Sequence, residues 1–412
     1  MIEYKKHTLS NGLKILINRD KTTPLVSLNI LYNVGSKHEK PDMTGFAHLF
    51  EHLMFSGSVH VPDFDIPVEK AGGENNAFTN QDFTNYYITL PAVNLETAMW
   101  LESDRMLSLA FSQKKLEVQK KVVIEEFKER YLNKPYGDVF HLLYDLAYEQ
   151  HHYQWPTIGK DVKHIEKATL EDVKNFFFSH YAPNNAILSL AGDVDYETAL
   201  KALEKWFGDI PYREIVNPEI PEEPTQQTER RKTVEKDVPY PRLTIAYHMP
   251  GRADKNFYAH DLLSDILSNG KSARFFKHLV RSRGDIFLQA DAYVTGNIDN
   301  GLFIIDATVT DNTRMEEAET LIYEELEKIR QGNVEEEELT RMKNKFESSH
   351  HFELYELSSR AFYLSYYELL GNAEFINTET GKYAEVTLKN VVETAQKLFV
   401  PSNRNVLYYL KK

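Results

Sequence analysis

The sequence predicts an α+β protein of two homologous domains, each an α/β sandwich in which helices pack on a mixed sheet, related to each other by duplication. Three observations carry that prediction. A helix, a Pro-Asn turn and a strand occur twice. Thr169, Leu170, Val173, Tyr181, Pro183 and Asn185 match Thr387, Leu388, Val391, Phe399, Pro401 and Asn403 at one constant offset. The strand expected over 25–32 leads into a helix containing His48, as the strand expected over 242–247 leads into one containing His260. Finally, strands alternate with long amphipathic helices without strict βαβ order, which points to helices packed on a sheet rather than to a doubly wound fold.

The elements follow in chain order. Helices are expected over 95–109 and over 315–331, where Ala318, Leu321, Ile322, Leu326 and Ile329 recur at helical spacing. In the repeated unit, the strands after the Pro-Asn turns are expected over 186–191 and 406–410. Between the copies, 210–236 carries Pro218, Pro221, Pro224 and the run Glu229, Arg230, Arg231, Lys232. That composition suits a linker. The expected organisation is a domain over 1–209, a linker over 210–236 and a second domain over 237–412.

Composition removes several functional classes. The 412 residues include 48 Lys and Arg against 62 Asp and Glu, for a net charge of −14, and no Cys. A chain without thiols has no disulfide framework, thiolate metal site or cysteine nucleophile. An acidic surplus argues against nucleic acid as a partner, because phosphate binding needs clustered Lys and Arg. No uninterrupted apolar stretch follows Lys5 and Lys6, and no window approaches the ~18 apolar residues of a membrane helix. A soluble cytoplasmic protein with no membrane partner is expected, or a periplasmic one if a leader has been removed.

The strongest local signal is His48-Leu49-Phe50-Glu51-His52. On a helix, His48 and His52 project from one face one turn apart, so two imidazoles can share a divalent metal. Glu51 lies beside them, where a carboxylate can serve as general base. The plain alternative is a helix with two incidental histidines and a solvated glutamate. Without Cys, a third ligand must be a carboxylate or another His; Glu125, Glu126 and Glu129 in the helix expected around 116–130 are all candidates. The adjacent pairs His151-His152 and His350-His351 point about 100° apart and cannot share a metal in this way.

These residues resemble the pitrilysin/insulinase/mitochondrial processing peptidase family of zinc metallopeptidases, which carries an inverted His-x-x-Glu-His. The resemblance extends over nearly the whole chain. It includes the segment from Gly72 to Tyr87 with its Asn76-Ala77-Phe78-Thr79 core, Tyr181-Ala182-Pro183-Asn184-Asn185, Ala191-Gly192-Asp193-Val194, Ser272 to Leu279, and Arg283-Gly284. It implies one Zn²⁺ per chain held by His48, His52 and Glu126, with Glu51 as base. It further implies that Asn76, Ala77, Phe78 and Thr79 lie on an edge strand to which a substrate peptide adds in extended form.

Two departures from the family pattern qualify these implications. A second glutamate is usual seven residues before the ligand glutamate, and this chain has Gln119, which hydrogen-bonds but carries no charge. Single-chain members also carry an Arg and a Tyr that bind the substrate carbonyl; aligned on Arg283-Gly284, those places hold Val280 and Phe287, with Arg281 one residue out of register. Some family members divide these parts between two chains. The expectation is a zinc endopeptidase subunit acting on peptides, completed by a homologous second chain in a heterodimer or else by a homodimer. The alternative is a non-catalytic binding or scaffold subunit. A lyase with a similar His-x-x-Glu-His is set aside because its metal takes a Cys. In the second repeat, His48, Glu51 and His52 correspond to His260, Leu263 and Ser264, so His260 reads as structural.

Overall fold

The computed structural model describes residues 1–216 and 218–412. In chain order the elements are β1 (Lys5–Thr8), β2 (Lys14–Arg19), β3 (Leu25–Tyr32), α1 (Phe46–Phe55), α2 (Asp65–Lys70), β4 (Glu74–Thr79), β5 (Thr84–Pro91), α3 (Leu95–Leu107), α4 (Gln113–Phe127), α5 (Val139–Ala147), α6 (Val162–Lys167), α7 (Leu170–His180), β6 (Ala186–Gly192) and α8 (Tyr196–Phe207). They continue with β7 (Arg230–Lys236), β8 (Arg242–Met249), α9 (Phe257–Ser268), β9 (Phe287–Val294), β10 (Gly301–Val309), α10 (Met315–Arg330), α11 (Glu336–Glu353), α12 (Leu357–Leu369), α13 (Phe375–Ala384), α14 (Leu388–Leu398) and β11 (Arg404–Lys411).

The strands form two sheets, in the orders β1-β2-β6-β3-β5-β4 and β7-β11-β8-β10-β9. Remove β1 and the two orders are the same, strand for strand, so the duplication holds at the level of topology. Both sheets are mixed. β2 runs parallel to β6 and β7 parallel to β11, while the other pairs are antiparallel.

The repeated sequence positions have the same physical jobs in both copies. Thr169 and Thr387 each begin a helix with a capping box. The hydroxyls accept from the amides of Asp172 and Asn390, whose side chains accept from the threonine amides. Asn185 and Asn403 then tie the helix end to the strand at the sheet centre. The Asn185 amide group donates to the carbonyls of His180 and Asn33, and that of Asn403 to those of Leu398 and His248.

The chain divides into two compact units, and the division differs from boundaries at 209 and 237. One unit comprises Met1–Glu129, Trp155–Ile220 and His351–Thr378; the other comprises Arg130–Gln154, Pro221–His350 and Glu379–Lys412. Each sheet therefore takes a helix from the opposite half of the sequence. In the first unit β3 is buried on both faces. α12 covers one of them, where Leu364 and Tyr367 pack with Leu16 and Ile187, and where Ser365 meets Asn29 and Ser189. In the second unit α5 does the same for its sheet, with Leu143 and Ala147 packed on Ala246, Leu302 and Ile304. The other face of that sheet carries the larger core formed with α9, α10 and α14.

The stretch 210–236 is not a linker throughout, because 230–236 forms β7. Its charges are compatible with a strand because β7 is at a sheet edge, where one side faces water. Val234 turns inward against Val139, Leu407 and Tyr409, while Arg231 pairs with Glu319. No helix is long and apolar enough to cross a membrane among the described residues.

Candidate metal centre

Helix α1 is oriented by its apolar residues. Phe46, Ala47, Leu49, Phe50, Leu53 and Met54 are buried, which leaves His48, Glu51 and His52 on the more accessible side. The Phe50 ring stacks on Tyr181 with centroids 5.2 Å apart. Gly45, which precedes α1, has φ 89°, and a Cβ there would lie 2.7 Å from the Ile158 carbonyl oxygen, so a side chain is excluded on both counts.

Helix α4 brings the third group. It buries Leu116, Val123 and Phe127, and Lys120 donates to the Ala168 carbonyl at 3.1 Å. The same rotation carries Glu126 toward α1. The Nε2 atoms of His48 and His52 lie 3.7 and 3.4 Å from one Glu126 carboxylate oxygen, Oε2. The two rings are nearly perpendicular, at 85°. Of the three glutamates open on sequence, only Glu126 joins the histidines in this group; Glu125 is exposed and paired with Lys128, and Glu129 is exposed. Gln119 sits two turns earlier on α4, half-buried.

The donor chemistry fits a zinc ion. His48, His52 and Glu126 each offer a ligand atom, all within 4.8 Å of one another, and form the one such group among the described residues. Tetrahedral ligands ~2.0–2.1 Å from a zinc ion stand ~3.3 Å apart, close to the two nitrogen–oxygen separations here. The side chains are 13%, 26% and 16% exposed, so the group is open to solvent on one side, as a site with a free fourth position requires.

Glu51 borders this group. Burial pushes its carboxyl above the usual carboxylate range, while nearby Thr79 and His52 draw it back. Thr79 ends β4, and β4 is the outermost strand of the first sheet, bonded only to β5. Asn76, Ala77, Phe78 and Thr79 thus lie on a sheet edge beside α1. The Phe78 ring packs against Phe83 and Phe362, and Asn76 caps the amide of Ala77. The contact between Thr79 and Glu51 was not foreseen in the sequence, because it joins a strand end to a helix face.

Among the described residues, the second unit shows no counterpart. On α9, His260 Nδ1 is bonded to the Asn256 carbonyl at 2.8 Å, the Ser264 hydroxyl donates to the Asp261 carbonyl, and Leu263 is fully buried. Phe287 is a core residue at the start of β9, and Val280 packs against the same core.

Fold and cluster together define a duplicated α/β protein with one candidate metal centre, carried by the first copy. The family description "Insulinase (Peptidase family M16)" matches residues 14–161, and "Peptidase M16 inactive domain" matches residues 167–346. The zinc protease PqqE of Helicobacter pylori is 30% identical over 349 residues, covering 83% of this chain and 78% of that protein. The uncharacterized zinc protease YmxG of Bacillus subtilis is 25% identical over 399 residues, covering 96% and 95%. The crystal structure of a protease from Helicobacter pylori superposes with a TM-score of 0.93 at 27% identity, covering both chains in full. The chain belongs to the insulinase family, peptidase family M16.

Proposed function

We propose that this chain is a zinc-dependent endopeptidase subunit that hydrolyses peptides or unfolded segments. The observation that carries the reading is the meeting of His48, His52 and Glu126 within 4.8 Å beside Glu51 and the edge strand β4. His48, His52 and Glu126 would hold the ion. When bound, zinc supplies Lewis acidity, which lowers the pKa of water and polarises a carbonyl.

The chain's own groups supply the rest. Glu51 takes a proton from the attacking water and returns it to the leaving amine. Its partial burial favours this, because a base works best with a pKa near the working pH. The open edge of β4 offers unpaired main-chain groups, so an extended peptide can add as a further strand. Recognition then rests on backbone pairing and is tolerant of side chains. A folded protein cannot present such a strand, which restricts substrates to peptides and unfolded segments.

Val280 and Phe287 occupy apolar core positions where single-chain relatives place the substrate-binding Arg and Tyr. We therefore assign those contacts to a second chain, a homologue in a heterodimer or a second copy. The test is a fluorogenic peptide assay of the purified chain alone and mixed with a homologue encoded nearby. Low activity alone and a large gain on mixing are expected. Full activity of the isolated chain at nanomolar concentration would refute the two-chain part.

A further inference from the structure

Helix α1 has no side-chain cap of its own, because Gly45 stands at its N-terminal cap position. First-turn amides have no partner within a helix and must be satisfied elsewhere. Here the acceptor is Glu39, six residues upstream and only 1% exposed. Its Oε2 accepts from the Gly45 amide at 2.9 Å, and its Oε1 from the Ala47 amide at 2.8 Å. The indole N–H of Trp155, itself buried, donates to the same Oε2 at 3.1 Å and also to the Ser36 carbonyl at 3.1 Å.

The segment holding Glu39 is bonded on its other side to the turn after β4. The Ser36 and Lys37 amides donate to the carbonyls of Asn80 and Gln81, at 3.1 and 2.9 Å. Lys37 Nζ pairs with Asp82 at 2.8 Å, with both side chains nearly buried. Gln81 in turn donates to the Trp155 carbonyl at 3.3 Å. One short segment therefore fastens both the start of the histidine-bearing helix and the end of the edge strand.

The geometry points to Glu39, seated by Trp155, as a positioning residue that fixes the first turn of α1, which carries His48, and thereby the affinity of the His48–His52–Glu126 group for its ion. This rests on the proposed zinc reading. The argument is one of donors and acceptors: both carboxylate oxygens receive N–H groups. A Gln at this place has one oxygen, and its NH₂ would face a donor. Burial pushes the Glu39 carboxyl up, and the N–H groups of Ala47, Gly45 and Trp155 oppose that by holding the ionised, acceptor-only form.

The test compares wild type, Glu39→Gln and Trp155→Phe by zinc titration against a chromophoric chelator and by hydrogen exchange at residues 45–49, both well below the melting temperature. Outer contacts to a metal site are worth about 10–100-fold in affinity. Glu39→Gln is expected to weaken zinc binding about tenfold and to speed first-turn exchange about tenfold. Trp155→Phe, which leaves both oxygens on the helix amides, should give a smaller change of the same sign in both. Exchange and affinity within twofold of wild type in folded Glu39→Gln would overturn the proposal. If Glu39→Gln does not fold, unchanged exchange in Trp155→Phe overturns it. If the wild type binds no zinc, the functional reading fails, and the exchange result alone decides the role of Glu39.

Discussion

Replacing Glu51 with Gln is expected to lower kcat by about 10³-fold while zinc content and peptide affinity stay near wild type. A positioned general base contributes about 10²–10⁴-fold. Gln has nearly the same shape, but it cannot take a proton. The change is nearly isosteric, and Glu51 is outside the set of buried apolar residues that seat α1. The measurement pairs peptide turnover with metal analysis of the same preparation. Turnover within tenfold of wild type in metal-loaded protein would remove Glu51 from its role. Loss of metal together with activity would instead make Glu51 part of the ligand set.

The largest effect on stability is expected at Arg105. Arg105 and Glu102 on α3 form an ion pair with side chains 1% and 0% exposed, joined by Nε to Oε2 at 2.8 Å and Nη2 to Oε1 at 2.5 Å. The guanidinium lies over the rings of Phe64 and Tyr86, each 4.3 Å away, and near that of Phe55 at the end of α1. Burial pushes the Glu102 carboxyl up, and Arg105 opposes that shift. Arg105→Ala leaves Glu102 buried without its counter-charge and opens a gap between the rings. Breaking such a pair costs about 3–5 kcal/mol. At about 2–4 °C per kcal/mol for a unit of this size, the melting temperature should fall by about 6–20 °C. The paired replacement Glu102→Leu with Arg105→Met should recover most of the loss, because it removes both charges and keeps the volume. A double variant no more stable than Arg105→Ala would contradict this account.

Much of this molecule was legible in the sequence because its signals are local. The i, i+4 histidines mark one face of α1 by helical geometry alone, and Thr169 and Thr387 announce helix starts because a capping box is complete within four residues. The duplication shows for the same reason: Asn185 and Asn403 make equivalent bonds in each copy. Non-local features were hidden. The amphipathic patterns of α5 and α12 say that one face is buried, but not which sheet buries it, so their exchange between halves is invisible. Glu125, Glu126 and Glu129 share similar surroundings in the sequence; the family resemblance singles out Glu126, and the rotation of α4 is what brings it to the two histidines. Glu39 reads as one acid among 62. Its task depends on Trp155, far along the chain. β7 was missed because an edge strand tolerates charges that would exclude a central one.

The central claim is that His48, His52 and Glu126 hold one zinc ion. Metal analysis of the purified wild type beside His52→Ala tests it most directly. About one zinc per chain in the wild type, removable by a chelator and absent from folded His52→Ala, is the expected result. A wild type that takes up no zinc when the ion is supplied, or a His52→Ala variant that binds zinc as tightly as the wild type, would contradict the account.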